Sequence, residues 1–159
     1  MAEVHPRAAA FRDRAAERYG LTVTVGGFPD GTKAAVDAAD ALGCAVARIA
    51  SSLVFAADGD PVVVVTSGAN RVDEGRLVAV LGADRVATAD PDRVRAVTGW
   101  AIGGVPPVCH EGDPPILLDR TLLGHETMYA AAGTPTAVFE VDPDRLRRLA
   151  DARVADVAD

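Results

Sequence analysis

With 159 residues, 49% hydrophobic and 25% charged, the chain can bury a continuous core without disulfides or a metal to hold it. A net charge of −7, from 16 basic and 23 acidic residues, excludes the broad basic face needed to grip a nucleic-acid backbone along its length, and so excludes general DNA binding. The longest apolar run, PVVVVT at 61–66, has strand length, which excludes a membrane span by that segment.

The first twenty residues are charged and helical, with no apolar signal-peptide core. The expectation is a cytoplasmic protein forming one domain over 1–159, with an oligomeric state that the sequence leaves open. Two cysteines, Cys44 and Cys109, make neither a disulfide framework nor a zinc knuckle.

In chain order, residues 6–19 place Ala9, Phe11, Ala15 and Ala16 among charges and predict an amphipathic helix stopped at Gly20. LTVTV at 21–25 alternates and predicts a strand. GGFPDG is a turn, after which Thr32 caps a helix running to Leu42 and closed by Gly43. Two apolar, β-branched runs at 47–55 and 61–67 flank Asp58-Gly59, the strongest short hairpin signal.

A helix over 72–82 stops at Gly82. Another over 90–99 is capped by Asp90 with Pro91 in its first turn. Strands follow at 115–119, within ETMYAAAG at 126–133, and at 136–142. Asp142 and Pro143 open a helix, and ARVADVA at 152–158 closes the chain as a strand. The pattern predicts an α+β fold, a curved and mostly antiparallel mixed sheet with helices packed around it.

Three stretches could carry chemistry. CHEGD at 109–113 contains metal-ligand types, yet neighbours in one loop rarely converge on an ion, so no metal is expected. His125 has no serine or cysteine nucleophile motif beside it. In TSGANRVD at 66–73, Ser67, Asn70 and Arg71 could hold a polar ligand, or the segment could be a capped turn into the next helix; both readings stand.

The third stretch is WAIGGVPPV at 100–108. Gly103 and Gly104 leave the backbone open to a ligand and present N–H donors, while Pro107 fixes φ and keeps the loop from relaxing into a helix. Rigid backbone donors are what stabilising an oxyanion requires. A tight turn between a helix and a strand would use the same residues.

Taken together, DGTKAAVDAADALGC with ARIASSLVF, VVVVTSGANRVDEGRLVAVLGADRVATADPDRVRAVTG, WAIGGVPPV, and ILLDRTLLGHETMYAAAG resemble the YbaK/EbsC family of prolyl-tRNA-synthetase-associated editing domains. The similarity runs from about Phe28 to the C-terminus. It implies a barrel-like sheet with surrounding helices, no cofactor, and hydrolysis of the ester between a wrong amino acid and the 3′-terminal adenosine of a tRNA. Family substrates include alanine and cysteine on proline tRNA. The implied partners are the tRNA acceptor end and an aminoacyl-tRNA synthetase.

The resemblance places the family's G-x-x-x-P loop on Gly103 to Pro107, its strand-end acid on Asp119, and its small glycine turn on Gly133. It also places polar pocket groups on Ser67, Asn70 and Arg71. Ser51 stands where most members have lysine, with Ser52 beside it; a hydroxyl cannot supply the lysine's charge. Lys33, the only lysine in the chain, is the candidate replacement. A substrate range altered from the family's would follow from this change. The alternative is a catalytically impaired member that binds a nucleotide, an aminoacyl ligand or a protein.

Overall fold

The computed structural model describes residues 6–27, 35–134 and 136–158. In chain order its elements are α1 (Pro6–Tyr19), β1 (Val25–Gly27), α2 (Ala35–Leu42), β2 (Ile49–Ala57), β3 (Asp60–Ser67), α3 (Glu74–Leu81) and β4 (Val86–Thr88), followed by α4 (Pro91–Thr98), β5 (Ile116–Asp119), β6 (Met128–Ala131), β7 (Ala137–Val141), α5 (Pro143–Ala150) and β8 (Arg153–Ala155). Short 3-10 turns cover Val46–Arg48 and Arg120–Gly124.

The sheet grows from the β2–β3 hairpin. Asp58 and Gly59 both take positive φ, 50° and 87°, the backbone that matches strand twist in a two-residue loop. The full eight-stranded order is β1-β7-β6-β2-β3-β5-β8, with β4 beside the far end of β2. The β1–β7, β6–β7, β2–β3 and β2–β4 pairs are antiparallel. The β2–β6, β3–β5 and β5–β8 pairs are parallel. The sheet is mixed and mostly antiparallel, as the sequence predicts.

β3 is central, so Val62 to Val65 are buried on both faces, as an uninterrupted apolar run requires. On one face Val63 and Val65 join Phe11, Trp100, Leu118, Phe139 and Leu146. On the other, Val62 and Val64 join Phe55, Leu77, Val86 and Leu117. The caps follow their sequence signals. Asp73, Asp90 and Asp142 accept from the amides of Gly75, Arg93 and Asp144, and Gly82 and Gly99 end α3 and α4 in the left-handed conformation.

Two elements differ from expectation. The first strand spans Val25–Gly27 rather than 21–25. Leu21 and Val23 are buried in the main core without joining the ladder, so their alternation reflects burial alone. β4 has only three residues and no recognisable sequence pattern. It is held because the Asp58 carboxylate accepts from the amides of Asp84 and Arg85 at 2.9–3.1 Å, and Asp58 donates its own N–H to the Arg85 carbonyl. The predicted start of α2 at Thr32, and Lys33, lie outside the described residues.

α1 closes the main core. Phe11 lies 5.0 Å from the Phe139 ring and 6.2 Å from Trp100, edge-on to the latter. Arg7 and Arg14 stack over the Trp100 ring at 4.6 and 5.2 Å. Gly133 permits this approach: a Cβ there would stand 2.8 Å from both the Arg7 carbonyl and Trp100 Cζ3, and its φ is +96°. Gly133→Ala should therefore cost about 2–4 kcal/mol through backbone strain and overpacking, read as a lower denaturation midpoint at unchanged m. A variant as stable as the parent would show that α1 does not seat on Gly133.

Candidate functional site

Strand alternation divides the predicted site residues. Ser51 stands across from Thr66 and Ser52 across from Val65, so the two hydroxyls face opposite sides of the sheet. Ser51 shares its face with Thr66 and, one strand further, with Asp119. Ser52 points to the side where Val65 packs with Trp100, Val105 and Val108. Both groups sit near the end of the hairpin opposite its turn.

Asp119 is 2% exposed and saturated with donors. Its Oδ2 accepts from Thr66 Oγ1 at 3.1 Å, the Ser67 amide at 3.0 Å and Asn70 Nδ2 at 2.9 Å. Its Oδ1 accepts from the Thr121 amide at 3.0 Å, capping the 3-10 turn. Burial alone would raise the carboxyl's pKa. The bonds from Asn70, Ser67, Thr121 and Thr66 outweigh it and hold the group below the usual carboxylate range.

The 66–71 loop is built around this anion. Ser67 Oγ donates to the Ala47 carbonyl at 2.7 Å, Gly68 N–H to Ile49 at 2.7 Å, and Asn70 N–H to Ser67 at 3.0 Å. Asn70 Nδ2 also donates to Thr121 Oγ1 at 2.8 Å. Arg71 is exposed at the end of the loop. Thr66 and Thr121 complete the cluster and were not anticipated. The spacing of Asp119 and Thr121 is itself a capping signal, because an aspartate side chain reaches the amide two residues on.

On the other side, residues 101–104 form a turn in which Gly104 donates its N–H to the Ala101 carbonyl at 3.0 Å. Gly103 has φ +86°, which the third position of a type II turn demands. This corrects one expectation: the Gly104 amide is committed inside the turn and does not face a ligand. Among the described residues, the Gly103 amide makes no backbone hydrogen bond. Gly104 serves close approach instead, since a Cβ there would lie 2.7 Å from Thr134 Cα.

Pro106 and Pro107 are buried, and the rest of the loop is fixed from within. Trp100 donates its indole N–H to the Cys109 carbonyl at 3.0 Å, and His110 Nε2 bonds the Pro106 carbonyl at 2.7 Å. Because that acceptor is a carbonyl, Nε2 carries the proton. Arg18 of α1 bonds the His110 carbonyl at 3.2 Å and pairs with Asp113. Gly133 packs against α1 and Trp100 rather than opening onto this surface.

Cys109 and His110 are buried while Glu111 and Asp113 are exposed, so CHEGD diverges. Burial pushes the Cys109 thiol up to about 11, which leaves it protonated and unreactive. Ser52 Oγ differs from these satisfied groups. Among the described residues it is the buried side-chain polar atom without a hydrogen-bond partner.

Residues 29–149 match the model of the aminoacyl-tRNA editing domain. The chain belongs to the aminoacyl-tRNA editing domain family. Similar proteins include the uncharacterized protein YwhH of Bacillus subtilis, 31% identical over 118 residues that cover 74% of each chain. A proline–tRNA ligase of Nitratidesulfovibrio vulgaris is 31% identical over 122 residues, 74% of this chain but 21% of the ligase. The crystal structure of a candidate trans-editing enzyme for prolyl tRNA synthetase superimposes with a TM-score of 0.93 at 38% identity and covers 99% of both chains. That structure thus shares α1, which precedes the matched editing region. No helix among the described residues is long and apolar enough to cross a membrane.

The His110 clamp has a pH signature. Burial, assisted by the nearby Arg18 charge, lowers the imidazole below its ordinary value despite the Pro106 bond. A folded-state pKa below the unfolded one, ~6.5, means the unfolded chain takes up the proton first. The clamp's stability is complete above that value and is lost as pH falls toward the folded-state pKa. His110→Gln keeps a donor but cannot titrate. The parent should lose stability relative to it between pH 7 and pH 5, at up to about 1.4 kcal/mol per pH unit, measured by parallel denaturant titrations. Parallel pH curves would show that His110 is not buried neutral.

Proposed function

We propose that this editing domain is an aminoacyl-tRNA deacylase acting in trans. It hydrolyses the ester that joins a mischarged amino acid to the 3′-terminal adenosine of a tRNA. The observation that carries the reading is Ser52 Oγ, a buried hydroxyl without a partner among the described residues, on the side of the sheet where Val105 and Val108 pack. A buried polar group left unsatisfied is costly, and a substrate carbonyl or ribose hydroxyl would complete it.

The chemistry must proceed without a protein base at this site. Asp119 is held charged by its four donors, which lower its pKa and make it a weak base. His110 is sealed against Pro106. Water therefore attacks the ester carbonyl with assistance from the neighbouring 2′-hydroxyl of the terminal ribose. The Gly103 amide and Ser52 Oγ stabilise the developing oxyanion. The bond from the acyl carbon to the ribose oxygen breaks, that oxygen takes the proton, and the free amino acid and tRNA leave.

The rigidity of the loop follows from the same demand, since donors aimed at an oxyanion act only if they need no rearrangement. Pro107 and the Trp100 and His110 bonds supply that rigidity. Asp119 positions Asn70 and Ser67 through its hydrogen bonds, and Arg71, exposed at the end of the 66–71 loop, meets the acceptor end. The substrate class follows the family, alanine or cysteine on proline tRNA, with the range altered by Ser51. Cooperation with prolyl-tRNA synthetase, which would release the mischarged tRNA, belongs to the same reading.

A second reading rests on Ser51 itself. Without the lysine that the family resemblance places there, the domain could bind an aminoacyl-adenosine end and not turn it over. Ser51→Lys separates the two. One added charge contact corresponds to roughly 1.5–3 kcal/mol, so deacylation of a tRNA accepted by the parent should rise about tenfold or more. A parent without activity on any mischarged tRNA, and a lysine variant that gains it, would establish the binding module.

Ser52→Ala should act in opposite directions on stability and on rate. Removing an unsatisfied hydroxyl leaves the free protein as stable or slightly more stable. Losing an oxyanion donor should lower kcat about 10²-fold. The measurement is ester loss from mischarged tRNA beside a thermal melt. Unchanged kcat in a folded variant would remove Ser52 from the mechanism.

A further inference from the structure

The editing site occupies one end of the hairpin, and a separate groove lies beside it between α3 and β8. The groove has a volume of about 310 Å³, with Arg76 and Ala79 on one wall and Arg120, Arg153, Val154 and Asp156 on the other. Arg76, Arg120 and Arg153 thus line it together with one acidic residue, Asp156, in a chain carrying −7. Arg120 pairs with Asp156 at 3.2 Å, but both side chains are more than 60% exposed. Such a pair contributes little and is readily exchanged.

The groove is joined to the editing site through the backbone. Arg120 directly follows Asp119, the anion around which the 66–71 loop is built. Val72, next to Arg71, bridges Ala158, and the Asp73 amide donates to the Val157 carbonyl at 2.8 Å. The segment that leaves the site loop therefore runs along residues 157–158, just past β8, and into α3. Asp73 and Glu74 are acidic residues at that end of α3, and Asp73 is occupied in capping the helix. The floor is made of small and apolar side chains, so a bulky anion can come close to the guanidinium forks.

We propose that this groove binds a backbone phosphate of the RNA whose aminoacylated end enters the editing site. The inference rests on the deacylase reading for the identity of the RNA. Arginine suits the task because its planar fork meets a phosphate with two parallel, charge-assisted hydrogen bonds. Placing the grip next to the loop would let an acidic protein hold one strand locally without a general affinity for nucleic acids.

The test uses the full chain, its Arg76→Gln, Arg153→Gln double variant, and an RNA hairpin with an unacylated 3′ single-stranded end. Binding is followed by fluorescence anisotropy across a salt series, with thermal melts to confirm folding. The double variant should bind about tenfold or more weakly. Its slope of log K against log salt should fall by roughly 0.7–0.9 per lost phosphate contact. Equal affinity and slope for parent and variant would overturn the groove.

Inorganic phosphate, titrated as a competitor, separates the two sources of the same chemistry. Displacement of the hairpin only at concentrations far above the hairpin's Kd supports an RNA site. Displacement at comparable concentrations would make it a small-anion site and overturn the proposal. Because the hairpin carries no ester, binding is read independently of catalysis. A parent that deacylates nothing while the variant still loses affinity would overturn the deacylase reading and leave the groove standing. A parent that deacylates while the variant binds unchanged would do the reverse.

Discussion

The Asp119 carboxylate and its four donors are the constraint on which the rest of the site depends. A buried anion is costly unless each of its lone pairs is met, and here the partners come from β3, from the loop that follows it, and from the 3-10 turn after β5. Removing any one donor would leave charge uncompensated in the interior. The cluster consequently fixes the exit of β3, the course of the 66–71 loop and the start of the segment at Arg120 in one step. It also settles the chemistry available to Asp119. A carboxylate held charged by this many bonds is a weak base and organises its neighbours.

A second clamp acts from the opposite face. α1 reaches the 97–113 segment through Arg7 on the Gly99 carbonyl, Arg18 on the His110 carbonyl, and Phe11 against Trp100. Inside that segment the Gly104 turn, the Trp100 indole and the His110 ring each bind a backbone carbonyl. These five hydrogen bonds satisfy eight of its polar groups without any ligand. The glycine-proline loop is therefore shaped first around Trp100 and His110, and the surface it offers to a substrate is what remains after those bonds are made.

The hairpin, the caps of α3, α4 and α5, and the buried run of β3 were legible because each rests on local chemistry: Asp58-Gly59, three aspartates at helix starts, and four consecutive valines. β4 was not, since three residues held by the Asp58 carboxylate leave no periodic trace. The distinct structural duties of the loop glycines were not legible. Gly103, Gly104 and Gly133 look alike in sequence, yet one serves a positive φ in a turn, one a backbone contact with Thr134, and one the seating of α1. Those distinctions arise from segments far apart in the chain. The same is true of Thr66 and Thr121, whose importance depends on which carboxylate the sheet brings between them.

Position 51 lies in a row with Thr66 and Asp119, so a lysine there would place its charge beside the buried carboxylate. In this chain the row reads hydroxyl, hydroxyl, carboxylate, and its field is negative toward an approaching phosphate backbone. Hydrogen bonds from amides and hydroxyls keep Asp119 ionised, but they do not cancel its charge at a distance as an ammonium would. If the chain binds RNA as proposed, an acidic protein with such a row needs its attraction elsewhere, close enough to act within a Debye length, about 8–10 Å at ordinary ionic strength. Arg120 follows Asp119 in the chain and opens onto the groove with Arg76 and Arg153. Under the groove proposal, the uncharged hydroxyl at position 51 and the three arginines between α3, the Arg120 turn and β8 would be parts of one electrostatic arrangement.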